Sequence, residues 1–575
     1  MQLSSQARPI IMASRGCVTS SNYLATAAGF EIFLAGGNAV DVAVATGLAL
    51  HVVEPHMNGI GGECPVIVYS ARHRKVFAIS GQGTAPENAT LEYFQRNRIR
   101  LIPGDGFLPA TVPASFGAWI TCLARFGTKT LREVISPAIR LAEEGFAVYA
   151  RLQESIQMYA DRFLKEWPTT AHIFLSNRKV PRIGQILKQP ELARTYRQLA
   201  NVEKRSGKDR RHGLLKARDF FYAGPIAHKI VKFTSKYSVR DATKRPHSGL
   251  ISLSDLSEYE TRVEETVSIN YKGLTVHKCG PWSQGPVFLQ QLRLLQGYDL
   301  ERFGHNSADY IHLLTETAKL AFADREKFYG DPLYAKIPLY ELLSSRYART
   351  RRKLIDMRRA SKELTSGTIA TMRAVSTDVD FGDTTHLDVV DSEGNMVAAT
   401  PSGGWIRSSP VIEGLGFPLG TRGQMFSLQA GHPNCIAPRK RPRTTLSPTL
   451  VTRGGRPLMA FGTPGGDQQD QWTLQFFLNF IHFGMNLQAA IDAPSFHTSH
   501  FPSSFFPREA HPGTLHVEDR IPLVVRRRLG RRGHRIIVRP GWSNGRVTAV
   551  HFDCESKVLS AAASSRHQTA YALGR

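Results

Sequence analysis

The N-terminal part of the chain shows two helical patterns followed by two strand patterns. Residues 23–34 carry apolar side chains at helical spacing and precede a Gly-Gly pair, which can end a helix. Residues 39–53 are rich in alanine, valine and leucine, which predicts a second, buried helix. After a glycine-containing loop, residues 66–69 and 75–79 have the composition of paired strands. This order predicts a compact α/β unit.

The middle of the chain is mostly helical in its periodicity. Residues 131–330 follow this pattern, with polar breaks at 165–190 and a basic loop near 203–214. The clearest helix covers 310–328, where apolar residues recur on one face. Residues 347–379 are polar, basic and weakly patterned, so we expect an exposed linker there.

The C-terminal part begins with strands. Residues 385–399 predict two strands joined by a turn at 391–395. The later elements are strand-like runs at 449–451 and 458–461, a glycine-rich turn at 462–466 and a helical run at 471–483. Strands that are followed by helices predict a sheet covered by helices.

The composition is that of an ordinary globular protein, apart from the charge. Hydrophobic residues make up 42% and charged residues 21% of the 575 residues. The formal net charge is +25, and basic residues concentrate at 204–218, 346–362 and 526–535. No zinc-finger spacing, RNA-binding motif or recognisable recognition helix accompanies them. We interpret them as solvated basic faces of a protein that acts on small anions, with no specific nucleic-acid partner.

The patterns near the N-terminus predict neither an export signal nor a membrane span. The first 20 residues include no apolar run long enough for a signal-peptide core. Glu31 and Asp41 interrupt the most apolar early stretch. The 6 cysteines are scattered without a CxxC pair, which is typical of reduced, structural cysteines. We expect a cytoplasmic protein that does not bind a membrane.

The tetrapeptide Asp383-Thr384-Thr385-His386 is the first place where the sequence indicates chemistry. Taken alone, such a tetrapeptide is most often a polar loop before a strand. Here a basic linker precedes it and a strand pair follows at once, as expected around an N-terminal nucleophile that is released by cleavage. The freed α-amine of a threonine can accept the proton of its own hydroxyl, so one residue supplies both nucleophile and base.

Gly465 and Gly466 form a second candidate element. Consecutive glycines let the backbone approach a ligand, and their N–H groups can stabilise an oxyanion. Taken alone, the pair is more simply an ordinary strand-to-helix turn. We interpret His386 as structural, because adjacent strand residues point to opposite faces. The histidines are dispersed and no HExxH or Walker-type motif occurs, so we predict no metal and no cofactor.

Several long motifs, in one order, resemble the γ-glutamyltransferase family over most of the chain. The N-terminal half carries GGNAVDVAVATGLALHVVEPHMNGIGGE, GDG, VPASFG, GPWSQG and LAFADR. The C-terminal half carries TTH with DSEGNMVAAT, then KRPRTTLSPTL and GTPGGD. Several motifs in a fixed order are more specific than any one of them.

The resemblance implies an α/β fold, a four-layer α/β/β/α sandwich of the N-terminal-nucleophile hydrolase type. It also implies self-cleavage into a large subunit (1–383, with a partly exposed linker at 341–383) and a small subunit (384–575) that stay together. Thr384 would then be the nucleophile that forms an acyl-enzyme, and the family's spacing to GNMVAAT favours it over Thr385. The other matched positions are Ser402 as a supporting hydroxyl, Gly465 and Gly466 as oxyanion donors, and Thr444 and Thr445 as substrate-binding hydroxyls.

Three positions depart from the family pattern. Gln82 stands where the family pattern has an arginine that binds the substrate α-carboxylate. Without that arginine, the site lacks a charge-assisted contact of about 1.5–3 kcal/mol. Met425 stands at the acidic residue for the α-amine, and Gly404 replaces a polar side chain. Both anchors for a glutamyl zwitterion are therefore missing, and Arg422 is the candidate for a replacement carboxylate clamp.

We therefore expect a γ-glutamyltransferase-like amidohydrolase that cleaves γ-glutamyl-type or glutaryl-type amides, with hydrolysis favoured over transpeptidation. Its expected partners are a small amide or peptide substrate and its own two subunits. One alternative is a glutathione hydrolase that uses different anchors. Another is a processed but inactive relative that serves as a basic binding scaffold. The retention of Thr384, Gly465 and Gly466 together argues against the scaffold.

Overall fold

Two large antiparallel sheets form the centre of the computed structural model, which describes residues 6–207, 209–366, 384–566 and 568–575. Each sheet has 7 strands, numbered here along the chain. The first sheet has the strand order β1 (Ile11–Ala13), β20 (Leu559–Ala563), β19 (Thr548–Phe552), β15 (Arg456–Gly462), β14 (Thr449–Arg453), β11 (Leu274–Lys278) and β10 (Val267–Tyr271). The second sheet has the order β21 (Tyr571–Gly574), β2 (Gly16–Ser20), β12 (Leu387–Asp391), β13 (Met396–Ala399), β3 (Val66–Ser70), β4 (Lys75–Ser80) and β9 (Arg262–Glu265).

Smaller sheets and many helices surround this centre. The smaller sheets consist of β16 (Phe496–Thr498), β17 (Thr514–Glu518) and β18 (Arg535–Arg539), of β5 (Phe146–Ala147) with β6 (Ile186–Leu187), and of β7 (Val239–Arg240) with β8 (Pro246–His247). The α-helices are α1 (Tyr23–Leu34), α2 (Ala39–Val53), α3 (Leu91–Arg96), α4 (Ser115–Phe126), α5 (Leu131–Glu144), α6 (Ala150–Lys165), α7 (Pro168–Phe174), α8 (Pro190–Arg205), α9 (Arg210–Tyr222), α10 (Pro225–Lys236), α11 (Leu253–Ser257), α12 (Gly285–Leu295), α13 (Leu300–Phe303), α14 (Ala308–Phe328), α15 (Leu339–Leu342), α16 (Ser345–Arg352), α17 (Gln469–Phe483), α18 (Leu487–Asp492) and α19 (Leu523–Arg531).

Alternating strand side chains divide the core into layers. In β12, Val389 packs with α2, α4 and α5 on the outside of the second sheet, whereas Val390 lies between the two sheets. Leu450 of β14 and Val550 of β19 complete the core between the sheets. On the outer face of the first sheet, Val451 packs with residues of α12, α14 and α17. The layers are therefore helix, sheet, sheet and helix, which confirms the predicted α/β/β/α sandwich.

Each sheet contains strands from both sides of residue 384. In the second sheet, β12 pairs with β2 on one side and with β13 on the other, and β13 pairs with β3. In the first sheet, β14 lies between β11 and β15, and β1 pairs with β20. A cut before Thr384 would therefore leave two pieces that share both sheets.

The elements predicted at the two ends of the chain are confirmed. Helices α1 and α2, strands β3 and β4, and the strand pair β12–β13 lie close to the predicted bounds, as do α14 and α17. The basic loop predicted near 203–214 is shorter, because α8 continues to Arg205 and α9 begins at Arg210.

Two predictions are wrong in part. The segment 131–330 includes β9, β10 and β11, which are short strands at one edge of each large sheet and carry partly exposed, polar residues. The predicted exposed linker begins with a packed helix, since α16 buries Ala348 and pairs Arg351 with Asp324. The part of the predicted linker at 367–383 lies outside the described residues. Within the described residues, no helix has the length and apolar character needed to span a membrane.

Candidate active site

Thr384 lies just before β12, in the middle of the second sheet. Its backbone forms a bridge with Ser402, which follows β13, and Ser402 forms another with Glu63. The side chains of Thr384 and Ser402 are fully buried. The segment at Ser402, itself bridged to Glu63 of the N-terminal region, thus holds the backbone at Thr384.

Ser402, Arg422 and Glu63 form a buried polar chain that ends at the Thr384 hydroxyl. Thr384 Oγ1 lies 3.1 Å from Ser402 Oγ. Arg422 Nη2 donates to Ser402 Oγ over 2.8 Å, and the same guanidinium is ion-paired with Glu63. Burial raises the pKa of the Glu63 carboxyl, and the charge of Arg422 opposes this rise.

Thr385 belongs to a different buried cluster. Its hydroxyl is hydrogen-bonded to Ser21 Oγ, which also donates to Glu54 Oε2 over 2.6 Å. Burial raises the pKa of Glu54 to about 7, although hydrogen bonds from Ser21 and Thr385 oppose the rise. The hydroxyls of Thr384 and Thr385 thus belong to separate buried clusters, and the choice of Thr384 as the nucleophile stays a prediction.

His386 is held within the core. Its Nδ1 lies 2.9 Å from Thr400 Oγ1, and its Nε2 lies 2.9 Å from Asp388 Oδ1. Asp388 also accepts a hydrogen bond of 2.8 Å from Thr548 Oγ1 in the first sheet. Both ring nitrogens therefore have buried partners, and Asp388 links the His386 ring to the first sheet, as expected of a structural histidine.

The loop with Gly465 and Gly466 follows β15 and starts close to the Thr384 segment. At Gly462, the last residue of β15, a Cβ would overlap the His386 ring, so the two backbones approach closely. The φ angles are +128° at Gly465 and +56° at Gly466, which favour glycine. Gly466 lines a cavity of about 450 Å³.

An apolar cluster lies beside Arg422. Trp405, Met425 and Phe505 pack together, and the Arg422 guanidinium lies 5.6 Å from the Trp405 ring centre. Phe505 also lines the cavity of about 450 Å³. The guanidinium of Arg407 lies 4.8 Å from the Trp405 ring centre. Met425 occupies the position at which the family pattern has an acidic residue. In this structure it is part of an apolar wall with positive charge beside it.

The other predicted substrate residues do not take part in the contacts around Thr384 described above. Gln82 is buried and lines a separate cavity of about 260 Å³ with Tyr259 and Arg441. Thr444 is buried, and its N–H donates to a backbone carbonyl of the GPWSQG motif over 2.9 Å. Within the described residues, Gln82 Oε1 and Thr445 Oγ1 are buried without a hydrogen-bond partner. Substrate binding by these three residues stays a prediction.

Arg422, the predicted carboxylate clamp, is already paired in the structure, and its binding of a substrate carboxylate stays a prediction. Its guanidinium is engaged by Glu63 and Ser402, so a substrate carboxylate would have to compete with Glu63 for the same charge. Gly404 has a φ of +61°, and a Cβ there would press on the backbone of Gly62. The polar side chain expected at Gly404 therefore has no room.

Sequence reasoning missed three residues beside Thr384 and Thr385. Glu63 lies in the motif GIGGE, where an acidic residue ends a glycine-rich loop, and this was its only signal. Ser21 and Glu54 are contributed by the N-terminal region, more than 300 residues from Thr385 in the sequence. No local pattern marks such distant contacts.

One group of possible metal ligands occurs within the described ranges. Ligand atoms of His312, Glu316 and His534 lie within 4.8 Å of one another. Glu316 is paired with Lys319 over 2.6 Å, and His312 is hydrogen-bonded to His534 over 2.8 Å. The ammonium group of Lys319 therefore already neutralises the carboxylate, and these residues do not include the Thr384 cluster.

A four-layer α/β/β/α sandwich with a buried threonine before a central strand is typical of the N-terminal-nucleophile hydrolases. The family model described as gamma-glutamyltranspeptidase matches residues 25–574. The chain therefore belongs to the gamma-glutamyltranspeptidase family and is an N-terminal threonine amidohydrolase.

Known relatives cover most of the chain. It is 32% identical over 509 residues to "Glutathione hydrolase proenzyme" of Pseudomonas sp. (strain A14), which covers 86% of this chain and 83% of the relative. The solved structure of LmbA2991HD has 43% identity and a TM-score of 0.95, and covers 99% of this chain and 100% of the other. The cephalosporin acylase from Bacillus halodurans has 29% identity and a TM-score of 0.85, with coverage of 100% and 98%.

Proposed function

We propose that the chain cuts itself between Asp383 and Thr384 and then uses Thr384 to hydrolyse amides with an anionic acyl group that lacks a free α-amine. The products of the cut are residues 1–383 and 384–575. The observation that carries this proposal is the buried Thr384 hydroxyl, 3.1 Å from Ser402 and linked through Arg422 to an apolar wall. Two similar proteins support the proposal, because one is named a proenzyme and the other an acylase.

The chemistry follows from one residue that supplies both nucleophile and base. Thr384 Oγ attacks the amide carbonyl carbon while its proton passes to the freed α-amine. The carbonyl electrons move onto oxygen, where the N–H groups of Gly465 and Gly466 stabilise the charge. Collapse breaks the C–N bond, and the ammonium group gives its proton to the leaving amine. Water then attacks the acyl ester while the α-amine takes one of its protons. Collapse breaks the bond between the acyl carbon and Thr384 Oγ, the ammonium group returns the proton to this oxygen, and the carboxylic acid leaves.

The acyl preference rests on the wall formed by Trp405, Met425 and Phe505. Met425 cannot neutralise the α-ammonium of a γ-glutamyl group, and burying an unpaired charge against apolar side chains is costly. A glutaryl group presents only methylenes there, and Arg407 supplies positive charge near Trp405 for a distal carboxylate. Glutaryl amides therefore fit the site better than γ-glutamyl amides.

Two anilides with the same leaving group test the acyl preference. We expect kcat/KM of the cleaved enzyme for glutaryl-p-nitroanilide to exceed that for γ-glutamyl-p-nitroanilide by about tenfold or more. Thr384→Ala serves as the inactive control. A preference for the γ-glutamyl compound would instead identify a glutathione hydrolase with other anchors. If the cleaved enzyme bound either anilide without turnover, the binding-scaffold alternative would replace this proposal.

Hydrolysis is proposed to dominate over transfer. Glycylglycine, added as an acceptor, is expected to leave the rate of p-nitroaniline release unchanged. A rise in this rate together with an acyl-glycylglycine product would identify transpeptidation.

A further inference from the structure

Arg422 is among the largest fully buried side chains in the described structure, and the steps proposed above do not use it. A buried charge is costly unless it is paired and hydrogen-bonded, so such a residue is retained where its contacts matter. Arg422 contacts Glu63 and Ser402, and Ser402 contacts Thr384. These contacts suggest an effect on Thr384 that is transmitted through Ser402.

The direction of the hydrogen bonds follows from the chemistry of the groups. A guanidinium has only donors, so Ser402 Oγ must accept the hydrogen bond from Arg422. A hydroxyl that accepts from a cation becomes a stronger donor and a weaker acceptor, because hydrogen bonds in a chain polarise one another. Acceptance from Arg422 therefore favours Ser402 as the donor in its hydrogen bond of 3.1 Å with Thr384 Oγ1.

Glu63 holds this arrangement through both its side chain and its backbone. Its N–H donates to Ser402 O over 2.8 Å, and Ser402 N–H donates to Glu63 O over 2.9 Å. The same residue forms the ion pair with Arg422. The positions of the guanidinium and of the Ser402 hydroxyl are thus fixed relative to one short piece of backbone.

We propose that Arg422 is a positioning residue, held by Glu63, that directs the Ser402 hydroxyl to donate its hydrogen bond to Thr384. This inference rests on the proposed role of Thr384 as the nucleophile. The donated hydrogen bond stabilises the negative charge that develops on Thr384 Oγ as its proton leaves. It acts whenever this oxygen attacks a carbonyl, in self-cleavage and in turnover, and it does not depend on the acyl group.

A double-mutant cycle separates positioning from substrate binding. Arg422→Lys and Ser402→Ala are made singly and together, and the cleaved enzymes are assayed with glutaryl-p-nitroanilide and with valeryl-p-nitroanilide, which lacks the carboxylate. We expect Arg422→Lys to lower kcat about tenfold for both substrates, with KM changed less than about twofold. In the Ser402→Ala background, the same change is expected to alter kcat by less than about twofold.

Other patterns overturn the inference. A rise in KM that is confined to the glutaryl substrate would make Arg422 a carboxylate clamp. Equal losses in kcat with and without the Ser402 hydroxyl would show that Arg422 does not act through Ser402.

The rate of self-cleavage gives a readout that needs no substrate. We expect Arg422→Lys to slow it about tenfold, and only when Ser402 is present. If the wild-type enzyme turned over neither anilide, the proposed substrate class would fail, and this cycle would still decide the role of Arg422. Thermal melting checks folding. Should Arg422→Lys not fold, Glu63→Gln replaces it, with a smaller loss expected that also vanishes in Ser402→Ala.

Discussion

Thr384 and Thr385 have the same side chain but different surroundings. The Thr384 hydroxyl is hydrogen-bonded to Ser402, which contacts the Glu63–Arg422 ion pair. The Thr385 hydroxyl is hydrogen-bonded to Ser21 instead. A threonine hydroxyl needs a nearby base and a donor to act as a nucleophile. Thr384 has Ser402 as the donor and would gain its own α-amine as the base after cleavage.

Glu54, in the cluster behind Thr385, links the stability of the fold to pH. Burial raises its pKa from 4.5 to about 7 in the folded protein, although Ser21, Thr385 and the charges of Arg151 and Arg546 oppose the rise. The folded state then binds more protons than the unfolded state between these two values. The contribution of Glu54 to stability is therefore present below pH 4.5 and is lost as the pH rises through about 7.

Glu54→Gln removes this titration. We expect the Tm of wild type to fall relative to that of Glu54→Gln as the pH rises from about 5 to about 8, because only the wild-type side chain ionises more readily in the unfolded state than in the folded state. Thermal melting across this range measures the difference between the two Tm values. If that difference were independent of pH, Glu54 would not titrate in this range in the folded protein.

At the scale of elements, the glycine loop between β15 and α17 combines two constraints. Gly465 has a φ of +128°, and a Cβ there would overlap the ring of Trp472. The chain must follow this path to present consecutive N–H groups before α17 begins. Backbone conformation and packing therefore both require glycine at this position.

Gly465→Ala tests whether the loop stabilises the oxyanion. We expect a loss of about 10²–10³ in kcat, since displacement of one oxyanion donor has this effect. Gly455→Ala, in the turn between β14 and β15, is the matched control, because Gly455 also has a positive φ of +78° but has open space around its Cα. Steady-state kinetics of both cleaved variants give the comparison. Equal kcat values for the two variants would assign the loop a structural role only.

The helices and strands differ in how well the sequence predicts them. Long apolar patterns such as α1, α2 and α14 were predicted with nearly correct bounds, because buried helices repeat their apolar positions over several turns. The edge strands β9 and β10 and the neighbouring strand β11 were missed, since short strands with polar residues on one side carry little periodic signal. The contact of Arg422 with Glu63 spans 359 residues and arises only in the folded chain, so the sequence could not show that this guanidinium is already paired.

At the scale of the whole molecule, the sheets explain why a cleaved chain would stay together. Strand β12 pairs with β2 and lies beside β13, which pairs with β3, so strands from both pieces share one hydrogen-bonded sheet. The core between the sheets also combines both pieces, as with Ile67 and Val550. Separation of the pieces would expose these strands and this core, which is strongly unfavourable.

The most direct test of self-cleavage before Thr384 is the intact mass of the purified protein under denaturing conditions, for wild type, Thr384→Ala and Thr385→Ala. We expect wild type and Thr385→Ala to give two pieces, one ending at Asp383 and one beginning at residue 384, whereas Thr384→Ala stays whole. A wild-type protein that remains a single chain of 63.8 kDa after prolonged incubation would contradict the account, because Thr384 would then have no free α-amine to act as its base.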